Sequence, residues 1–158
     1  MKNNLKKNWD HFKQASKIIP DACQTFSRSH LLYDKKFFPL FIKNGKNQYL
    51  YDIDNNKYLD FVSALGAVTI GYSIPEINKK IKKISNLGNT FSLTHTIEFE
   101  VAKLIKKLIP SAEMIKFGKN GTDVTSAAIR LSRSYTGKED IAVCGYHGWQ
   151  DWYIGSTN

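Results

Sequence analysis

Two short glycine-bearing segments, Gly118-Lys119-Asn120-Gly121-Thr122-Asp123 and Gly145-Tyr146-His147-Gly148, each follow an apolar run of strand character, residues 114–117 and 141–144. Between them, Val124, Ala127, Ala128, Leu131 and Tyr135 recur at spacings of three and four, which predicts a helix over about 122–135 with one buried face. Strand, helix and strand in that order make a βαβ unit, whose crossover is right-handed. Both loops then leave the same edge of a parallel sheet, the side on which open α/β sheets bind ligands. One unit is too little for a doubly wound sheet, which needs several strands for its helices to cover. The expectation is an α/β chain that opens a larger domain.

The earlier residues lead into that unit by three changes of periodicity. Up to about Arg28 the pattern is a polar helical arm, with Trp9, Phe12, Ala15 and Ile19 on one stripe. Residues 40–62 change to short β runs at 40–42, 48–53 and 58–61. The turn-forming Asn44-Gly45-Lys46-Asn47 and Asp54-Asn55-Asn56 separate them, so an antiparallel three-stranded meander is expected. A helix follows with Ser73 as N-cap, Pro75 in its first turn and Ile74, Ile77, Ile81 and Ile84 as its apolar stripe. Another runs over about 97–109 and stops at Pro110. No repeat, low-complexity tract or Pro/Ser linker interrupts the 158 residues.

Charge and cysteine content exclude several functions. The net charge of +9 comes from lysine pairs dispersed along polar helix faces, with Arg28, Arg130 and Arg133 as the only arginines. A nucleic-acid surface would cluster its charge and use arginine forks. Cys23 and Cys144 have no CxxC or Cys/His spacing, so no metal site is expected and the thiols fit a reducing compartment. Residues 1–13 are basic without an apolar run behind them, and the low-charge stretch 61–72 is about half the ~20 residues a membrane helix needs. The reading is a cytoplasmic protein without membrane or nucleic-acid partners.

The two loops carry the chemistry. Asn120, Gly121 and Thr122 open a helix whose first N–H groups lack internal acceptors and whose dipole is positive, which suits a phosphate; Thr122 can add a hydroxyl donor. Neither GxxxxGK[ST] nor GxGxxG is present. Tyr146 can stack on a planar cofactor anchored by the first loop, and His147 can hydrogen-bond or move a proton. A helix cap, core aromatics and a satisfied histidine are the plainer alternative. A third reading takes Gly118-Lys119-Asn120-Gly121 as the GxxG loop of a KH-like nucleic-acid-binding module.

Asn120-Gly121-Thr122-Asp123, Ala127-Ala128-Ile129-Arg130-Leu131-Ser132-Arg133, Tyr135-Thr136-Gly137 and Tyr146-His147-Gly148 together resemble the class III aminotransferases, most closely the glutamate-1-semialdehyde 2,1-aminomutase group. The likeness continues upstream through residues 51–60, Gly71-Tyr72, Glu98-Phe99-Glu100 and residues 109–113. It implies the start of a fold-type-I, pyridoxal-phosphate-dependent transferase with small-molecule amino donor and acceptor, normally a homodimer. Residues 1–86 would hold the arm and a small-domain portion, and 87–158 the beginning of the large domain. By the resemblance, Asn120, Gly121 and Thr122 hold the cofactor phosphate, Tyr146 stacks on the pyridine and His147 lies beside it. Leu65 stands where the aminomutase pattern has an aromatic, and Asp123 where Glu is commoner. An aminotransferase of a sugar or sugar-linked precursor is therefore an alternative to the aminomutase.

Pyridoxal phosphate chemistry requires a Schiff-base lysine and an acid on the pyridine nitrogen. No lysine here stands in a matching motif, so no catalytic residue is assigned. The purified 158-residue chain is expected not to transaminate. Borohydride trapping of the cofactor on one lysine at unit stoichiometry would contradict this.

Overall fold

Helix α1 (Lys6–Ala15) has no acidic residue in its first turn, and its N-cap Leu5 offers no side-chain acceptor. Asn4 Oδ1 accepts from the Lys6 N–H at 3.1 Å, and the next two amides are capped from 46 and 47 residues away in sequence. Asp54 accepts from the Asn8 N–H through Oδ2 at 2.9 Å and from the Lys7 N–H through Oδ1 at 3.0 Å. In this computed structural model, which describes residues 4–154, the chain forms two units, Met1–Thr90 and Phe91–Asn158.

The first unit is built on a three-stranded antiparallel sheet in the order β1 (Ile42–Lys46), β2 (Tyr49–Asp52), β3 (Lys57–Leu59). The meander is present, but β1 runs through residues whose composition predicts a turn. Asn44 pairs with Tyr51 and Gly45 with Leu50 after a bulge, and the reversal is confined to Asn47 (φ 52°) and Gln48. Gly45 suits this strand because the Tyr72 ring lies over it; a Cβ there would sit 2.8 Å from the Tyr72 Cβ. Tyr72 in turn exchanges backbone hydrogen bonds with Asn47 at 2.7 and 2.8 Å.

A buried polar network joins α1 to this sheet. Asn8 and Asp52 are both fully buried. Asn8 Nδ2 donates to Asp52 Oδ2 (3.2 Å) and Asp54 Oδ2 (2.9 Å), while its Oδ1 accepts from the Leu40 and Phe41 N–H groups at 2.9 and 2.8 Å. Asp52 also accepts from the Asn56 N–H, the Asn56 side chain and the Tyr58 hydroxyl. A buried polar group without a partner is costly, and here each has several.

The arm departs from one helix reaching Arg28. α1 ends at Ala15, and three short 3₁₀ turns follow at Pro20–Ala22, Phe26–Arg28 and His30–Leu32. Pro20 cannot donate to a helix, and it biases the preceding residue to extended geometry, as seen at Ile19 (φ −124°, ψ 118°). The same effect displaces the cap of α2 (Pro75–Ser85): Ile74, extended before Pro75, is the N-cap, and Ser73 lies outside at φ 53°.

The second unit holds α3 (Thr96–Leu108), α4 (Gly121–Thr136) and α5 (Asp151–Ile154). A capping box starts α3, with His95 Nδ1 accepting from the Ile97 N–H and Glu98 accepting from the His95 N–H. Residues 114–117 and 141–144 join no ladder among the described residues, so the expected βαβ unit is present as its helix and loops without paired strands. Parallel strands are stable when buried between neighbours and covering helices, and neither segment has a hydrogen-bonded strand partner among the described residues. The apolar face of α4 is accordingly open, with Leu131 71% and Tyr135 90% exposed. Among the described residues, no helix is long and apolar enough to cross a membrane.

Replacing Asn8 by Ala strands the Leu40 and Phe41 N–H groups and removes one donor from each of Asp52 and Asp54, and is expected to destabilise the first unit by about 2–4 kcal/mol in chemical denaturation. The Asp54 carboxyl is raised by burial, but hydrogen bonds from Asn8 and Lys7 and the Lys7 charge outweigh this and hold it below its ordinary 3.8. Its stabilisation is therefore complete above that value and is lost as pH falls through the lower, folded-state pKa. Asp54→Asn should flatten this acid limb in a circular-dichroism titration; an unchanged slope would show that Asp54 does not drive it.

Candidate functional site

Helix α4 opens on Asn120, whose extended backbone (φ −124°, ψ 159°) makes it the N-cap. Asp123 reaches back to accept from the Asn120 N–H at 3.1 Å and its Nδ2 at 3.3 Å. This ties up both Asn120 donors and leaves the next two amides, of Gly121 and Thr122, directed out of the helix start without an acceptor among the described residues. The helix closes at Gly137, left-handed at φ 68°.

The second loop packs on this first turn. Gly148 (φ 107°) is buried against Thr122, so closely that a Cβ would collide with the Thr122 methyl. One turn along the same face, the Thr125 hydroxyl has two carbonyls in reach, Thr122 O at 3.1 Å and His147 O at 3.2 Å. Trp152 Nε1 of α5 donates to Ser126 Oγ at 3.0 Å, and the Tyr153 hydroxyl donates to Gly145 O at 2.6 Å. The two glycine segments therefore meet, as neighbours on one end of α4.

The five residues singled out from sequence take different positions there. Gly121 and Thr122 offer free amides, and Thr122 turns its methyl to Gly148. Tyr146 is 78% exposed and touches Tyr153 edge-on. His147 Nε2 lies 2.6 Å from Cys144 O, a carbonyl that only accepts, so Nε2 carries the proton and binds the ring back to its own loop. Asn120 is held by Asp123. Sequence reasoning missed Thr125, Ser126, Trp152 and Tyr153; Thr125 had a legible signal, three residues beyond Thr122 on one helix face.

A cleft of about 550 Å³ runs along an adjacent face of α4, lined by Asp123, Ser126, Arg130, Arg133, Gln150 and Trp152 among others. It includes neither Gly121 nor Tyr146, so it lies beside the paired loops. Gly118–Gly121 follows an unpaired extended segment and leads into α4, whereas a KH loop joins two helices. Among the described residues, no group of three or more His, Cys, Asp or Glu is placed to hold a metal ion.

The sequence profile of aminotransferase class-III matches residues 32–158. The chain belongs to the class-III aminotransferases. It is 38% identical to a 3-aminobutyryl-CoA aminotransferase of Cloacimonas acidaminovorans, over 97% of this chain and 37% of that protein. It is 40% identical to a glutamate-1-semialdehyde 2,1-aminomutase of Wigglesworthia glossinidia brevipalpis, over 93% of this chain and 34% of that one. It is structurally similar to an omega-transaminase from Sphaerobacter thermophilus (TM-score 0.84, 26% identity, 95% of this chain and 35% of that chain). The FumI protein of Sphingopyxis sp. MTA144, solved in its PLP internal aldimine form, matches with a TM-score of 0.86 at 29% identity over 93% and 36% of the two chains. The chain thus spans about a third of the relatives it matches and carries the corresponding part of the fold-type-I transaminase architecture.

Gly148→Ala is expected to force the loops apart, from the Thr122 collision and from the positive φ, at a cost of about 1–3 kcal/mol. Thr122→Ser removes the colliding methyl. Thermal melts of the double mutant should recover part of the loss; strict additivity of the two changes would mean that this contact is not what Gly148 serves.

Proposed function

We propose that this chain supplies the phosphate-anchoring and ring-stacking part of a pyridoxal-phosphate-dependent amino-group transferase. The observation that supports the reading is the packing of Gly148 and His147 onto Thr122 and Thr125, which seats the loop bearing the exposed Tyr146 on the first turn of α4. The Gly121 and Thr122 N–H groups bind the phosphate, aided by the helix dipole and the Thr122 hydroxyl, and Tyr146 stacks on the ring. His147 holds its loop through Nε2 and keeps Nδ1 as an acceptor. Asn120 acts as the cap that points the two amides outward.

Gly121 tests the fit. Its φ is not in the left-handed region, and nothing lies within 4 Å of where its Cβ would stand. The fold does not require glycine there, whereas an anion seated on the amides does. Pyridoxal phosphate, when bound, supplies the electron sink for chemistry at the amino-bearing carbon.

The same reading assigns the first unit to the small domain and the second to the opening of the large domain. It takes the whole protein to be a cytoplasmic homodimer acting on small amino donors and acceptors, either as a mutase or between two substrates. The relatives include both an aminomutase and aminotransferases.

Pyridoxamine 5′-phosphate titrated into the ¹⁵N-labelled chain should shift the Gly121, Thr122 and Tyr146 amides. Gly121→Ala should leave the stability of α4 unchanged or raised by up to about 1 kcal/mol while weakening that binding. Shifts confined to the Arg130 and Arg133 cleft, or equal binding by the alanine variant, would overturn the assignment.

A further inference from the structure

We propose that Tyr153 is the positioning residue that fixes the orientation of Tyr146 and His147, and with it the distance between ring contact and phosphate contact. The inference rests on the cofactor reading above for its purpose, though the anchoring itself can be tested without cofactor. Tyr153 is the one buried hydrophobic residue of the second unit among the described residues, at 8% exposure. Its ring meets Tyr146 at 6.1 Å and 89° between planes, and His147 at 5.7 Å and 88°. Two successive side chains of the loop thus lean edge-on against one ring, a preferred aromatic geometry.

The hydroxyl adds a fixed point. It donates to Gly145 O at 2.6 Å, and Gly145 enters the loop at φ 78°, a conformation that sets where its carbonyl points. Tyr153 is itself held, because its neighbour Trp152 donates to Ser126 on α4. The contacts close a ring: α4 through Ser126 to Trp152, across to Tyr153, up to Gly145, along the loop to His147, and back to α4 at Thr125. Within it, Tyr146 rests one edge on Tyr153 and is 78% exposed, which leaves it open to stack on a planar ligand. A ring braced in this way does not have to be ordered when the ligand arrives, so binding is stronger than for a mobile side chain.

Tyr153→Phe keeps the ring and removes the bond to Gly145; Tyr153→Leu removes both. In the phenylalanine variant of the full chain, ¹⁵N order parameters of residues 145–148 should fall from about 0.85 towards 0.6 while those of α4 stay unchanged. With pyridoxamine 5′-phosphate added, the ring-current shift on its pyridine C6 proton should shrink by at least half, while the ³¹P shift persists. Rigid loop amides in both variants would overturn the proposal. So would parallel loss of the proton and phosphorus effects with melting of α4, since that marks Tyr153 as merely structural. If the cofactor perturbs neither loop of the unmodified chain, the cofactor reading fails, and the order parameters alone decide whether Tyr153 anchors the loop.

Discussion

Asn8 uses both ends of one side-chain amide to join three segments that are far apart in sequence: its NH₂ reaches Asp52 and Asp54, and its oxygen receives the backbone at Leu40 and Phe41. Among the described residues, almost no apolar side chain in the first unit is buried, Leu5 and Ala15 being the exceptions. The position of α1 on the sheet is therefore set by polar geometry. An apolar contact tolerates sliding, whereas a shift of α1 by one residue would break the Asn8 bonds to Asp52, Asp54, Leu40 and Phe41 together. The Asp54 carboxylate has a second effect, because it places negative charge at the positive end of a helix whose first turn has no acid of its own.

The second unit solves a similar problem with a closed chain of contacts around α4. Thr125 and Ser126 spend their hydroxyls on the loop and on α5, so that the end of the helix carrying free amides is also the end that holds Tyr146. The remaining apolar surface of α4 is open. Order at the candidate site thus comes from a few directional bonds, and it does not wait on coverage of the helix face.

The legible parts of the sequence are those with local causes. The stripes of α2 and α3, the helix start after Asn120 and the second turn of the meander, at 54–56, all follow from neighbours a few positions away. The local partners of Asn120 and His147 are not legible in the same way: Asp123 engages the Asn120 side chain and Cys144 O engages the His147 ring. The failures have non-local causes. Asn44 and Gly45 look like turn residues until Tyr72 covers them. Nothing near Lys7 announces that Asp54 will cap its helix. Residues 114–117 and 141–144 have strand composition, yet a strand exists only with a partner, and partnership is not a property of a segment.

The same separation of causes explains how one scaffold serves relatives that act on different substrates. In the proposed reading, the amides of Gly121 and Thr122 and the loop that Tyr153 braces meet the cofactor, whose features every such reaction shares. Leu65 belongs to another kind of segment. Together with Ser63 and Ala64 it forms a left-handed turn at φ 49–58°, and its side chain is 79% exposed. Such a conformation is costly for residues other than glycine and persists only where its surroundings hold it. Here Asp60 does so from both ends, accepting from the Val62 and Ser63 N–H groups through one oxygen and from the Tyr72 hydroxyl, 2.6 Å away, through the other. The carboxylate is held below its ordinary value chiefly by that tyrosine. Because the clasp touches only the ends, the residue at the tip can change from an aromatic to leucine without loosening the loop. In the proposed reading, substrate preference varies at Leu65 while the contacts that would hold the cofactor stay fixed.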